Sequence, residues 1–432
     1  MIFKLRLKNT LLLFISALLI FGLFPSLVTS PAFAEDTVKI GLTAPLDLKP
    51  LSERDPYWKQ GLDQKRAVDI AVEEINAAGG ILGKKVEIIA VDTPSKPAES
   101  KVILEKMYAD GAVMALGGSA SSVAIANGKI AKKMKKLYFG TLTYSTETTG
   151  EEGHRYIFRE CYDSGMAARA LANYLTKNFG GKKYFYITAD YSWGYTTEDS
   201  FRKYTNTTDK DAHRGVLTKL GTQDFTQSLN AAKESGAEVL VLVQFGRDME
   251  NSVKKAYEMG LKTSMQIIVP NLTEDMAEGA GAEAMEGVIG ATPWIYKEAM
   301  KYPKGKAFVE SFEKKYGRYP TTSGASAYVI LWQYKEAVEK AKTFDAMEVI
   351  KSLEGHKYTG LKDEQYWREW DHQSVQTVYA VKCKPATEVK SSKYGLDFYE
   401  VLATMNGEDA AVKKDEWVAV RAKVGAPSTL ED

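Results

Sequence analysis

Buried-strand patterns and helix-spaced apolar positions alternate along most of this chain. Val38-Lys39-Ile40-Gly41-Leu42-Thr43 predicts a buried parallel strand. A polar loop follows through Tyr57, Trp58 and Gln60, and Val68, Ala71, Val72 and Ile75 then recur at the spacing of one helix face. Ala78-Gly79-Gly80 ends that helix, because glycine tolerates the left-handed conformation past a last turn. Val86-Glu87-Ile88-Ile89-Ala90-Val91 predicts a second strand, and the three pieces make a βαβ crossover. Strands are predicted at 112–117 and 137–141 with a helix over 121–135, and a short extended piece at 156–159 closes this series. A second series has strands at 184–188, 215–220, 238–245 and 265–269, separated by helices over 165–177, 194–204, 225–235 and 247–259. This alternation predicts an α/β fold with parallel sheets covered by helices on both faces.

After a last strand at 286–291 the character changes. Helices are expected over 304–316 and 323–342 without strands between them, and 376–381 gives one late strand. The more polar stretch 384–432 has weaker periodicity and reads as an appended subdomain or a partly loose tail. No low-complexity linker separates the two series.

The first residues change the setting. Lys4, Arg6 and Lys8 precede an apolar run from Leu11 to Phe24, and Ala32-Phe33-Ala34 is a small-residue cleavage pattern. That is a secretory signal peptide over 1–34. The run is short of the ~20 residues a membrane span needs, and no cysteine stands near the cut for a lipid anchor. The expected product is exported, with no membrane anchor. Loss of three basic residues takes the formal charge of +1 to about −2. A near-neutral balance without a basic cluster argues against nucleic acid as a partner.

Candidate chemistry gathers just past strand ends, where open α/β sheets bind ligands. Ser119-Ala120-Ser121-Ser122 opens a helix, and its hydroxyls and free N–H groups suit an anion; ordinary capping by Ser121 is the competing reading. Thr141-Leu142-Thr143-Tyr144-Ser145 follows the next strand. Asp190-Tyr191-Ser192-Trp193-Gly194 takes the same place in the second series, where Trp193 either walls a pocket or packs under the helix. Phe245 and Asn271 end two further strands, and Asn271 offers both donor and acceptor groups. Catalysis has little support. The four histidines show no metal-ligand spacing, no G-x-S-x-G elbow is present, and Gly79-Gly80-Ile81-Leu82-Gly83 follows a helix rather than the strand a nucleotide fingerprint needs. No cofactor and no metal are expected. Cys161 and Cys383 are either a disulfide or two buried thiols.

Four segments, in this order and spacing, carry a resemblance: Glu74-Ile75-Asn76-Ala77-Ala78-Gly79-Gly80-Ile81-Leu82-Gly83, Gly117-Gly118-Ser119-Ala120-Ser121-Ser122, Asp190-Tyr191-Ser192-Trp193-Gly194 and Arg368-Glu369-Trp370-Asp371-His372-Gln373. The chain to about Val381 resembles the type I periplasmic binding proteins, in the leucine/isoleucine/valine-binding branch that serves ABC importers. The resemblance implies two lobes, each a parallel sheet with helices on both faces, joined by three hinge strands. Lobe 1 would hold 35–158 and 289–378, lobe 2 would hold 159–288 and 379–432, and 384–432 would be a C-terminal extension. It implies a periplasmic receptor, not an enzyme, that closes on a small organic ligand (amino acid, amide or small carboxylate) and meets an inner-membrane permease transiently. A ligand-sensing role for a chemoreceptor or sensor kinase is the alternative, and a secreted α/β hydrolase a more distant one. Ser121 or Ser122 and Thr141 or Thr143 fall where the family holds a ligand carboxylate. Trp58 or Gln60, Trp193 and Phe245 fall on other cleft positions. Asn271 departs from the family, which carries an acidic residue there for the ligand's ammonium, and this brings aromatic and other small acids into competition with branched-chain amino acids. The implied hinges put Cys161 and Cys383 just past neighbouring strands, so the resemblance implies that they pair.

Overall fold

The computed structural model describes residues 37–46 and 55–431; the leader expected over 1–34 lies outside them. The first strands are β1 (Thr37–Ala44), β2 (Lys85–Asp92), β3 (Ala112–Gly117), β4 (Leu137–Gly140) and β5 (Ile157–Arg159). They form one parallel sheet in the order β2-β1-β3-β4-β5. Then come β6 (Tyr184–Ala189), β7 (Gly215–Thr218), β8 (Val239–Val243), β9 (Gln266–Asn271) and β10 (Ile289–Thr292). After a small antiparallel sheet of β11 (Lys357–Thr359), β12 (Glu364–Trp367) and β13 (Ser374–Val375), the chain ends with β14 (Val378–Cys383) and β15 (Tyr399–Met405). The second large sheet runs β15-β14-β10-β9-β8-β6-β7, parallel except that β14 is antiparallel to both of its neighbours. Helices flank both sheets, which are the hearts of two lobes.

The buried strands are the β-branched runs read from the sequence. Val239–Val243 is buried at every position, as a strand covered on both faces must be. The helix Pro97–Ala109, between β2 and β3, was not anticipated; proline at its first turn starts it, since that position needs no N–H donor. β10 and β14 are strands of the second sheet, so the chain re-enters the first lobe after Thr292 and leaves it before Val378. Helices Pro303–Tyr316, Thr322–Ala341 and Ala346–Leu353 pack on the first lobe, whose core centres on Phe139, Phe158 and Trp367 with ring centroids 5.3–5.8 Å apart.

Two expectations are corrected. The segment after Lys384 is no loose tail: β15 extends the second sheet along the whole of β14, and Trp417 and Arg421 of the helix Lys414–Lys423 are buried. Cys161 and Cys383 are both buried free thiols.

Candidate functional site

Six strand ends deliver side chains to one cleft between the lobes. From the first lobe come the start of the helix Trp58–Ala77, the turn after β3 and the turn after β4; from the second come the segments after β6, β8 and β9. The turn after β3 depends on glycine. Gly117 has φ +132°, and a Cβ there would stand 2.0 Å from the Thr43 carbonyl oxygen. The chain can therefore double back tightly and present Ser119 and Ser121 at the cleft.

On the first lobe's face the hydroxyls form a connected set. Gln64 Nε2 donates to Ser119 Oγ (3.1 Å), and Thr141 Oγ1 donates to Gln64 Oε1 (2.8 Å). Ser121 does not cap its helix. Ala120 takes the cap position without a side-chain bond, and Ser121 Oγ accepts instead from the Ser145 N–H at 3.0 Å. Thr143 shares a short hydroxyl–hydroxyl bond with Thr148. Arg159, at the end of β5, fastens this turn from behind. It donates to the carbonyls of Thr143 and Ser145, to Thr149 Oγ1 (2.7 Å) and to Asp163 (2.9 Å). Ser122 and Trp58 are half-buried.

The second lobe contributes a wall of rings. Trp193 is buried, and its indole N–H donates to Asn271 Oδ1 at 3.2 Å. Phe245 sits at the centre, with Tyr57 and Tyr144 of the first lobe at 5.5 Å and Trp193 at 5.8 Å, all edge-on. Tyr144 meets Tyr162 at 5.1 Å. The second lobe's hydrophobic cluster thus takes in Tyr57, Ala120, Val123, Leu142 and Tyr144 from the first, so the two faces are in contact. Burial holds the phenols of Tyr57, Tyr144 and Tyr162 above their ordinary range, so they stay protonated and able to donate.

Polar pairs span the cleft as well. Tyr57 and Tyr191 join hydroxyls at 2.9 Å, Lys59 pairs with Glu250 at 2.8 Å, and Thr196 Oγ1 donates to Ser145 Oγ at 3.2 Å. Gln60 Nε2 donates to Asp275 Oδ2 in a short bond. Asp275 stands in the first turn of the helix Glu274–Ala280, and its carboxyl is pushed up to about 7 by burial, with Asp63 adding to the shift. Glu274 beside it is pushed up to about 8, again by burial first. Among the described residues, Gln60 Oε1, Asn271 Nδ2, Asp275 Oδ1 and Ser192 Oγ are buried without a hydrogen-bond partner.

Of the residues expected from sequence, Gln60, Ser121, Trp193, Phe245 and Asn271 lie in this network, and Thr141 and Thr143 lie in the turn behind it. Three contributors were not singled out: Tyr57, Tyr162 and Asp275. Tyr57 is adjacent to the expected Trp58. Asp275 has a sequence signal, an acid four residues past the strand-end Asn271. Among the described residues no group of three or more His, Cys, Asp or Glu side chains is placed to hold a metal, and no helix is long and apolar enough to cross a membrane.

Residues 37–389 match the family model described as periplasmic binding protein. Leu/Ile/Val-binding protein homolog 4 of Brucella melitensis is 25% identical over 362 residues, which covers 79% of this chain and 84% of the relative. Among solved structures, a periplasmic binding protein from Burkholderia mallei superposes with a TM-score of 0.79 at 24% identity, over 88% of this chain and 98% of that one. A solute binding protein of an ABC transporter from Rhodopseudomonas palustris, in complex with 3,4-dihydroxybenzoic acid, gives a TM-score of 0.73 at 21% identity, over 86% and 98%. These superpositions fix the fold as two-lobed α/β.

Proposed function

This chain is a member of the periplasmic binding protein family, and we propose that it is the periplasmic receptor of an ABC importer. It would close its lobes on a small carboxylate or amino acid and hand the molecule, chemically unchanged, to an inner-membrane permease. The observation that carries this reading is the closed cleft itself. Tyr57, Tyr144, Trp193 and Phe245 make an aromatic box drawn from both lobes, and unpartnered polar atoms of Gln60, Asn271 and Asp275 stand buried in the same interlobe network. A flat ligand body suits edge-on rings. Ser121 and Ser145, at the start of the helix Ser121–Met134, suit a carboxylate. Ligand contacts to both lobes would favour the closed form over the open one.

Asp275 favours a second ligand class on the same scaffold. Asn271 replaces the acid expected after Pro270, which argues against an ammonium group. A buried carboxylate nevertheless stands one helical turn farther on, joined to Gln60. An α-amino acid would place its ammonium there, whereas a hydroxylated aromatic acid would place a hydroxyl there.

The test is a thermal-unfolding screen of the mature protein with benzoate, 3,4-dihydroxybenzoate and leucine, followed by recovery of the bound compound. A ligand at 100 times its Kd stabilises the native form by about 2.7 kcal/mol, which moves the midpoint by several degrees. A shift with either class, and intact ligand on release, is expected. No shift with any small carboxylate or amino acid at millimolar concentration, or release of an altered compound, would remove the receptor reading.

A further inference from the structure

The chain past the matched residues 37–389 ties the lobes together. β15 is hydrogen-bonded along β14 and so belongs to the second lobe. Beyond it the backbone reaches the lobe boundary. Arg169, on the second-lobe helix Ser164–Phe179, donates to the Ala410 carbonyl (3.0 Å) and pairs with Glu416 (2.6 Å). Lys203, on the helix Ser192–Thr205, reaches the same carboxylate at 3.3 Å. The opposite side of the helix Lys414–Lys423 grips the first lobe. Trp417 Nε1 donates to the Thr149 carbonyl (2.8 Å), and Arg421 Nη1 donates to the carbonyls of Gly150 (2.6 Å) and Gly153 (2.9 Å). Arg421 also donates to Pro427 and Thr429, which folds the end of the chain back on itself. Glu431 then pairs with Lys132 at 2.9 Å, and its carbonyl accepts from the Arg155 N–H.

The gripped carbonyls belong to the same loop as the ligand-facing turn. Thr149 follows directly on Thr148, which bonds Thr143, and on the Ser145 hydroxyl that meets Thr196 across the cleft. Arg159 holds this turn from the interior. Trp417 and Arg421, each only 1% exposed, hold it from the outside. Any opening that carries residues 145–153 away from the helices Ser164–Phe179 and Ser192–Thr205 must therefore pull Trp417 and Arg421 off their carbonyls, or pull Glu416 off Arg169 and Lys203.

We propose that residues 406–431 are a strap that clasps lobe 1 to lobe 2, with Trp417 and Arg421 as positioning residues that keep the 141–149 turn facing the cleft and restrain opening. The role of that turn rests on the receptor reading above, but the clasp does not need a ligand to be seen. The strap acts through backbone carbonyls at the rim of the site.

The experiment measures interlobe distance in the ligand-free full chain. Spin labels go on Val102→Cys in lobe 1 and Tyr257→Cys in lobe 2, which are 68% and 49% exposed, while both native thiols are buried. Pulsed dipolar spectroscopy on this parent should give one dominant short distance. Arg421→Ala should add a longer-distance population at least tenfold larger than in the parent. Trp417→Phe keeps an aromatic ring in the packing while removing the N–H donor and part of the indole, so it decides the matter should Arg421→Ala fail to fold; it should move the distribution the same way with the circular-dichroism spectrum unchanged. Arg421→Lys, which retains a cation but cannot reach every carbonyl, should fall between. An unchanged distribution in folded Trp417→Phe and Arg421→Ala would overturn the strap. A protein that binds none of the screened ligands would leave this result intact and count against the receptor reading alone.

Discussion

Replacing Asp275 by asparagine isolates an acid of the second lobe that meets Gln60 of the first. Its carboxyl accepts from Gln60 Nε2, with Asp63 nearby raising its proton affinity and Lys59 and Arg318 lowering it. Burial pushes it from an ordinary 3.8 to about 7. A carboxyl with a raised value favours the packed state fully below its unfolded value, and that advantage is lost as pH climbs through the folded value. The window here runs from about pH 4 to pH 7. At 1.36 kcal/mol per unit, the whole effect is roughly 4 kcal/mol as an upper bound. About 2–3 kcal/mol of it falls between pH 5 and pH 8. The asparagine amide would keep an oxygen for Gln60 and carry no charge to bury. Thermal unfolding at pH 5, 6, 7 and 8 should therefore show a midpoint that declines toward alkaline pH in the native protein. The decline in Asp275→Asn should be shallower, leaving the variant the more stable of the two at pH 8. Some slope should persist, because Glu274 is displaced in the same direction. Parallel curves would refute the claim that this carboxyl is buried between the lobes.

Three further outcomes follow from the geometry. Trp193→Ala removes a ring of the box and the donor to Asn271, and should weaken capture more than tenfold by calorimetry with whichever screened ligand binds; unchanged affinity would take Trp193 out of the site. Lys362 is buried and donates to the carbonyls of Pro293 and Thr377, where the chain crosses between lobes, so Lys362→Met should lower stability by about 1–3 kcal/mol in urea titrations as those oxygens lose their donor. Burial holds the Lys362 ammonium down at about 8 against an ordinary 10.5, so the folded chain sheds this proton first and stability should rise as pH climbs between those values. Cys161 and Cys383 should both resist a thiol reagent in the native protein and both react in denaturant, with reductant leaving the melting point unchanged; an oxidised pair of the two by mass would overturn this.

The fold was legible wherever one physical rule dominated. β1, β6, β8 and β9 are buried on both faces, so their residues had to be apolar runs, and the glycines that end helices marked the crossovers. Legibility failed where rules competed. In the helix Pro97–Ala109 the apolar Val102 points to solvent beside the buried Leu104, which blurs the helical period. β15 is an edge strand with mostly exposed side chains, so no alternation announced it, and only its ladder to β14 defines it. The grouping of the candidate residues was legible in part. Strand ends fixed Trp193, Phe245 and Asn271, but whether Tyr57 or Trp58 enters the cleft turns on a single step at the helix start. The Gln60–Asp275 bond joins residues 215 apart in sequence and exists only because two lobes close on each other. The disulfide failed because the order of the hinge strands says which lobe holds each cysteine and not whether the two side chains meet; both are buried free thiols.

The same placement of side chains sets what these groups can offer a ligand. A serine nucleophile needs a base in contact with its hydroxyl. Ser121 Oγ instead accepts a backbone N–H, and the four histidines are engaged elsewhere. His372 lies flat on Phe158 at 3.8 Å, His154 abuts Gly128 and is driven down to about 3 by burial, His213 accepts from the Tyr184 N–H, and His356 faces Glu336. The titratable groups that do line the cleft are phenols kept protonated and acids pushed toward neutrality, and burial is the first cause in each. Burial that suppresses charge turns these groups into hydrogen-bond donors and weak acceptors, suited to recognising a molecule by shape and polarity.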